Sequence, residues 1–271
     1  PHKLRLRMQK NRSHISFSEI KIWEECPHKH KLLYIDNLKL FKGNEYTAFG
    51  KAIHAVSEHY LTDPPSMDPS DFFETEFLKE LKDLRKTAPD VDFKPLMVKD
   101  MRAQGRMLAP LIVPALKKHF GTYEVFSVEE ELYQQILNDK KYKGFVDLVI
   151  KKDEEYHIID WKSCSWGWDA RRKNDRMTTY QLAYYKNFFC EKHGVDPKNV
   201  KVYFGLLKRT AKKNHVEIFD VACGSKKIKN SLKLMEHALY NIEKKNFVKN
   251  RLSCHGKFGA CEFFQTEHCR R

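Results

Sequence analysis

Residues 144–163 read GFVDLVIKKDEEYHIIDWKS. Two short apolar runs, FVDLVI and EEYHIID, flank a charged turn, the pattern of two strands joined by a hairpin. Each run carries an aspartate where a buried strand would keep a hydrophobe: Asp147 interrupts the first and Asp160 ends the second. Alternate residues of a strand share a face, so Asp160 and Lys162 point one way and Trp161 the other. If the two strands pair side by side, two carboxylates and an ammonium meet at one edge of a sheet. Carboxylates pressed together in a low dielectric repel each other. A divalent cation relieves that repulsion, and oxygen donors suit Mg2+ or Mn2+. The competing reading is an ordinary hairpin with Asp and Lys wet at its strand ends.

The chain around this stretch has 271 residues, 41% hydrophobic and 32% charged, enough for one large domain or two modest ones. Lys and Arg number 50 against 36 acidic residues, a net charge of +14. Such an excess favours a polyanionic partner, nucleic acid first. No run approaches the roughly 18 apolar residues that span a bilayer. The opening PHKLRLRMQKNRSH is basic, without the apolar core of a signal peptide. The expectation is a soluble, cytoplasmic protein that does not engage a membrane. Seven cysteines, an odd count, argue against a disulfide framework. Three of them, Cys254, Cys261 and Cys269, crowd the C-terminal tail and call for a metal reading.

Outward from the hairpin, the pattern changes period. Upstream, Ser16 and Glu19 fit a capping box, Ile20, Trp23 and Cys26 recur at helical spacing, and Pro27 interrupts or restarts the helix. TAFGKAIHAVSEHYLTD reads as a second helix with His54 near its start, and residues 72–119 read as mostly helical with a break at Thr87–Pro95. Downstream, MTTYQLAYYKNFFCEKHG is a helix ending at Gly194, and VKVYFGLLKR and HVEIFDVA are two more strands. KKIKNSLKLMEHALYNIEKKN is an amphipathic helix with Ile228, Leu232, Met235, Leu239 and Ile242 on one face.

Four blocks now stand in order: GKAIH (50–54), GFVD (144–147), DWK (160–162) and QLAYY (181–185). Together they resemble the PD-(D/E)xK nuclease superfamily, in particular its RecB-like branch, which includes the RecB and AddB nuclease domains and CRISPR-adaptation nucleases of the iron–sulfur type. The resemblance spans nearly the whole chain. It implies that His54, Asp147 and Asp160 bind divalent metal with help from the backbone carbonyl of Trp161. It makes Lys162 the catalytic lysine beside Asp147 and Asp160, and has Gln181 and Tyr185 position the DNA strand and that lysine. Glu129 or Glu130 would assist, with no choice between them. The tail resembles the cysteine-rich end of the iron–sulfur members, which implies a [4Fe–4S] cluster on Cys26, Cys254, Cys261 and Cys269. The spacing departs from the tighter one of those members, with Phe264 where a middle cysteine would fall. Zinc and unligated thiols are the other readings of these cysteines. Cys164, Cys190 and Cys223 read as plain buried or half-buried residues.

The segment SCSWGWDARRKNDRMTTYQ follows the DWK strand. Trp166 and Trp168 can stack on unpaired bases, and Arg171, Arg172 and Arg176 can track phosphates. The competing reading packs both tryptophans under the loop. LKRTAKKNH (207–215) is a weaker basic patch that reads as a solvated face.

The expected fold is α/β: a restriction-endonuclease-like core with a central mixed sheet of about five strands flanked by helices. A helical N-terminal cap and a cysteine-rich C-terminal tail complete it. The expected organisation is one nuclease domain over 1–271, with a basic arm at 1–14, the cap at 15–125, the core at 126–222, and the C-terminal helix and tail at 223–271. The expected function is metal-dependent hydrolysis of DNA from single strands or ends, an exonuclease of replication, recombination or repair in a bacterial or phage-infected cell. A helicase or recombination partner would open duplexes, because the chain has no G-x-x-x-x-G-K-[ST] phosphate loop. Two rivals stand beside it: a CRISPR-adaptation type end-trimming nuclease, and a non-catalytic nucleic-acid-binding scaffold.

Overall fold

The computed structural model describes residues 13–62, 67–137, 139–256 and 259–270. Helices dominate the first part: β1 (His14–Ser16), α1 (Phe17–Glu25), α2 (Pro27–His30), α3 (Glu45–Thr62), α4 (Pro69–Thr87), α5 (Pro95–Leu108) and α6 (Ile112–Phe120). Strands then take over: β2 (Glu124–Gln135), β3 (Lys141–Lys152) and β4 (Glu155–Cys164). They are followed by α7 (Ala170–Lys173), α8 (Arg176–His193), β5 (Val200–Lys208), β6 (Val216–Asp220) and α9 (Ser225–Glu243). The tail adds β7 (His255–Gly256) and β8 (Gly259–Ala260). This is the α/β architecture expected, with helices flanking a mixed sheet. None of the helices among the described residues is long and apolar enough to cross a membrane.

The contacts group the chain into two units, 42–132 with 145–229, and the described parts of 1–41, 133–144 and 230–271. In the first unit β3 and β4 pair antiparallel through Leu148–Ile159 and Val149–Ile158. β4 and β5 run parallel, placing Asp160 beside Phe204 and Lys162 beside Leu206. β6 closes the order antiparallel to β5, and β2 pairs with β3. A parallel pair needs a crossover connection, here the loop, α7 and α8.

Buried side chains of α3 to α6 pack with Leu148, Ile150, Ile159, Trp161, Tyr203 and Leu207 as one core. Trp161 is fully buried on that side, as the alternation from Asp160 requires. Its indole packs against Gly205 of β5, where an added Cβ would come within 2.2 Å of the ring. Glycine there is a packing requirement.

In the second unit β1 pairs parallel with the start of β3 at Lys141–Lys143, a short strand that the reading of 1–14 as an arm did not expect. Residues 1–12 of that arm lie outside the described residues. Ser16 caps α1, accepting from the Glu19 backbone N–H at 3.3 Å. Glu19 does not turn back to complete the capping box. Its carboxylate is buried against His30 at 2.8 Å instead. Pro27 restarts the helix at the first position of α2, where its missing N–H costs nothing.

Candidate functional site

One residue beyond the Leu148–Ile159 pair, β3 and β4 carry Asp147 and Asp160. There the Trp161 backbone N–H donates to Asp147 Oδ2 at 2.6 Å, so a carboxylate takes a donor that a regular ladder would give to a carbonyl. α3 brings His54 to the same place, Nδ1 lying 3.6 Å from Asp147 Oδ1. Lys162 Nζ lies 2.6 Å from Asp160 Oδ2. From α8, the Gln181 amide donates to Asp160 Oδ1 at 3.0 Å and to the Tyr185 hydroxyl at 2.9 Å. The four sequence blocks therefore converge on one place. Gln181 holds Asp160 rather than the lysine, and Tyr185 is buried behind it.

Glu129 joins them. It sits in β2 at φ +47°, left-handed backbone that a glutamate rarely adopts. The burial alternation of β2 slips there. Val125 and Ser127 face partly inward, and beyond the slip Glu130 and Leu132 do. An extra residue of this kind is a bulge, a device that re-aims one side chain. Ligand atoms of His54, Glu129 and Asp147 lie within 4.8 Å of one another, the only such set among the described residues. Glu130 goes elsewhere. It is buried, with Oε1 2.9 Å from Lys192 Nζ and 2.5 Å from His193 Nε2. The sequence left the two glutamates open, and a one-residue slip of the strand separates them.

Electrostatics sort these groups. Burial resists the charge of Asp147, but His54 and Lys162 outweigh it and hold the carboxyl below its ordinary range. Burial likewise opposes protonation of His54, and Asp147 overcomes it, so the imidazole stays above its usual value. Asp160 is pushed up to about 6 by burial, with Asp147 adding to the rise against the pull of Lys162. Glu129 is pushed up to about 7 by burial and then by Asp147. Lys162 keeps its proton beyond the usual lysine range, since Asp160 and Asp147 outweigh burial. His54, Glu129, Asp160 and Lys162 thus hold their protons longer than usual around an Asp147 that gives its proton up readily, the mark of a site rich in negative charge.

The donor set fits a divalent cation. A histidine nitrogen and carboxylate oxygens at single-ion spacing match Mg2+ or Mn2+ chemistry. Asp160 Oδ2 is buried and, despite its ion pair with Lys162, makes no hydrogen bond of good geometry.

Residues 14–270 match the PD-(D/E)XK nuclease superfamily. The chain belongs to that superfamily. Membership implies metal-dependent nuclease chemistry with DNA as the substrate class. Among solved structures, a protein from Eubacterium rectale named "Putative exonuclease" superposes with a TM-score of 0.57 at 13% identity, over 95% of this chain and 87% of that one. At that identity the likeness concerns the fold alone. A second structure, SSO0001, aligns at a TM-score of 0.36 and 14% identity over 79% of this chain and 93% of that one, too distant to support an argument. No curated protein matches the sequence.

The loop after β4 divides its two tryptophans. Trp166 is 73% exposed. Trp168 is buried against Phe204, with ring centroids 5.0 Å apart and the Arg172 guanidinium 4.6 Å over its ring. The expectation that both present open faces is therefore corrected for Trp168: β5 supplies an aromatic wall, and the larger burial gain lies beneath the loop. Arg171, Arg172 and Arg176 are exposed around it.

In the second unit, Cys26, Cys254, Cys261 and Cys269 line a single cavity of about 270 Å³. The segment after α9 is tied to α1 and α2 there. The Asn250 backbone N–H donates to Cys26 Sγ at 3.4 Å, and its side-chain amide to the Glu25 carbonyl at 2.9 Å. The Cys261 N–H donates to the Cys254 carbonyl at 2.8 Å. Phe264 also lines the cavity, with its ring against His255. All four thiols are free of disulfides and half-buried. Cys190 and Cys223 are buried and Cys164 is half-buried, as expected of plain core thiols. Burial raises the pKa of all three, Cys190 to about 11.

Proposed function

We propose that the protein is a divalent-metal-dependent exodeoxyribonuclease that shortens DNA from single-stranded ends. The observation that carries this reading is the convergence of His54, Glu129, Asp147, Asp160 and Lys162 at the open end of β3 and β4. His54, Glu129 and Asp147 would hold the cation, with Asp160 and the Trp161 carbonyl beside it. The cation supplies Lewis-acid polarisation of the phosphodiester and offsets charge that develops on its oxygens. Lys162 keeps its proton between two carboxylates and is placed to lend positive charge to the phosphoryl group as negative charge builds. Gln181 fixes Asp160, and Tyr185 fixes Gln181, so the carboxylate is oriented before substrate arrives. Trp166 and the cations Arg171, Arg172 and Arg176 offer a stacking face and phosphate contacts for an unpaired strand.

The cysteine cavity supports a [4Fe–4S] cluster on Cys26, Cys254, Cys261 and Cys269. Four thiols share a cavity, yet they are not among the described groups close enough to share one ion. That favours a cluster over a single zinc. Its role would be to staple the tail to the first helices. The work would be done in the cytoplasm, in recombination or repair, with a helicase partner to open duplexes.

The test uses end-labelled linear single strands and covalently closed single-stranded circles, each in Mg2+, Mn2+ and EDTA, with Lys162→Ala alongside. The expected result is metal-dependent shortening of the linear strand, loss of that activity in Lys162→Ala, and intact circles. Cut circles would make the enzyme an endonuclease. Binding without cutting in either metal would leave the scaffold reading.

A further inference from the structure

Arg209 is the residue that the basic stretch 207–215 misplaces. Read as part of a solvated face, it is 9% exposed. It follows β5, and its backbone N–H donates to the Cys164 carbonyl at 2.8 Å. Its guanidinium lies 5.1 Å from the Tyr46 ring centroid and 5.4 Å from that of Phe49. One nitrogen donates to Gln104 Oε1 at 3.3 Å and another to Ser165 Oγ at 3.1 Å. Both acceptors are neutral. Among the described residues no carboxylate is paired with this cation, and burial depresses its pKa with only Tyr46 and Cys164 opposing.

A buried guanidinium without a counter-charge is costly unless something supplies one. Arg209 lines a cavity of about 640 Å³ together with Tyr46, Gln104, Ser165, Lys94 and the first turn of α5. That helix starts at Pro95 with no cap from its own N-cap side chain. The buried Glu45 carboxylate accepts the Lys94 N–H there at 2.8 Å and offsets part of the helix dipole, which leaves Arg209 as the main positive group of the cavity. Asp92 and Asp100 also line it, but both are exposed, where solvent screens them.

The cavity stands in a fixed relation to the carboxylates. Ser165 follows Lys162 by three residues, roughly 10 Å along extended chain. Tyr46 precedes His54 by eight residues on α3, roughly 12 Å along the helix axis. The elements run side by side, with Gly50 of α3 against Ser163 of β4. Two independent rulers thus give one separation.

We propose that the Arg209 cavity binds a phosphate of the nucleic-acid strand, about two to four nucleotides from the bond being cut. This rests on the nuclease reading, and it makes Arg209 a positioning residue that sets the register of the strand. Arg is suited to the task because its planar fork can keep Gln104 and Ser165 while presenting its remaining donors to phosphate oxygens.

The test is a set of linear oligonucleotides, each with one neutral methylphosphonate linkage at a known position, digested by wild-type protein and by Arg209→Gln. The expected wild-type ladder pauses twice, once when the neutral linkage reaches the cut and once when it lies about two to four nucleotides away. Arg209→Gln should lose the second pause alone, with KM raised about tenfold and kcat little changed. Arg209→Lys should restore part of it. A 5′-phosphate compared with a 5′-hydroxyl distinguishes a terminal phosphate from an internal linkage as the group bound. Binding followed by fluorescence anisotropy in EDTA at several salt concentrations needs no cleavage. There the slope against log salt should fall by about 0.7 in Arg209→Gln, the share of one phosphate on a single strand. If the wild type cuts DNA but its ladder shows no second pause, the proposal is overturned whether or not the variants fold. An unchanged salt slope in a folded Arg209→Gln overturns it as well. If no DNA is cut but the slope still falls, the nuclease reading fails and the phosphate site stands.

Discussion

Asp147 and Asp160 meet across neighbouring strands, and the cysteines meet across most of the chain's length. In the carboxylate site each side chain rides on a regular element: β3, β4, α3, α8 and the bulge of β2. Backbone pairing and the packing of Trp161 fix where these side chains lie. In the cysteine cavity Cys26 occupies the break between α1 and α2, and the other three sit on a tail of short turns. Position there depends on capping contacts such as Asn250 to Cys26 and Glu25. A site built on strands is preorganised by the core, whereas a site built on turns is stabilised mainly by what it binds.

The sharpest way to break this contrast is to attack the sheet beneath the carboxylates. Gly205→Ala sets a methyl group into the Trp161 ring. An overpacked core costs about 1–3 kcal/mol and sometimes more, and here the neighbour is a rigid indole in a full core. The expected outcome in urea denaturation is a loss of about 3 kcal/mol or failure to fold, with metal binding lost in the same step. Cys261→Ser attacks the other site. The protein should lose the visible absorption that the proposed iron–sulfur cluster would give and melt at a lower temperature, while Mn2+ affinity stays within about twofold, as for sites that share no partner.

A finer test separates the two adjacent glutamates. Glu130→Gln leaves Lys192 and His193 without their carboxylate and should cost about 1–3 kcal/mol in urea denaturation. Burial works against Glu130's charge, but its hydrogen bonds to Ser127, His193 and Lys192 prevail and depress its pKa. Its stabilising contribution is therefore present above the ordinary glutamate range and is lost as the pH falls through the depressed value. The wild-type advantage over Glu130→Gln should accordingly shrink on acidification.

What the sequence disclosed follows the same division. Strand alternation put Asp160 and Lys162 opposite Trp161, and Gly194 ends α8 in left-handed backbone at φ +65°. These are local rules, legible over a few residues. The choice between Glu129 and Glu130 was not legible, because a bulge shifts the alternation without leaving a glycine to mark it. Trp166 and Trp168 share one spacing, and only Phe204, brought alongside by the β4–β5 pairing, decides which is buried. Arg209 lies in a run of cations that reads as surface, and its burial comes from α3 and α5, more than a hundred residues upstream. Tertiary partners overrode composition at each of these places.

The central claim is that His54, Glu129 and Asp147 form the divalent-ion site. Mn2+ titration followed by isothermal calorimetry tests it on wild type, Asp147→Asn, Glu129→Gln and Glu130→Gln. Ligand carboxylates must be deprotonated to bind, and Glu129 holds its proton to about 7. Wild-type affinity should therefore rise between pH 6 and pH 8, and release of a proton should accompany binding at the lower pH. At pH 8, Asp147→Asn and Glu129→Gln should bind at least about tenfold more weakly, with Glu130→Gln close to wild type. Equal Mn2+ affinity in wild type, Asp147→Asn and Glu129→Gln would contradict the account.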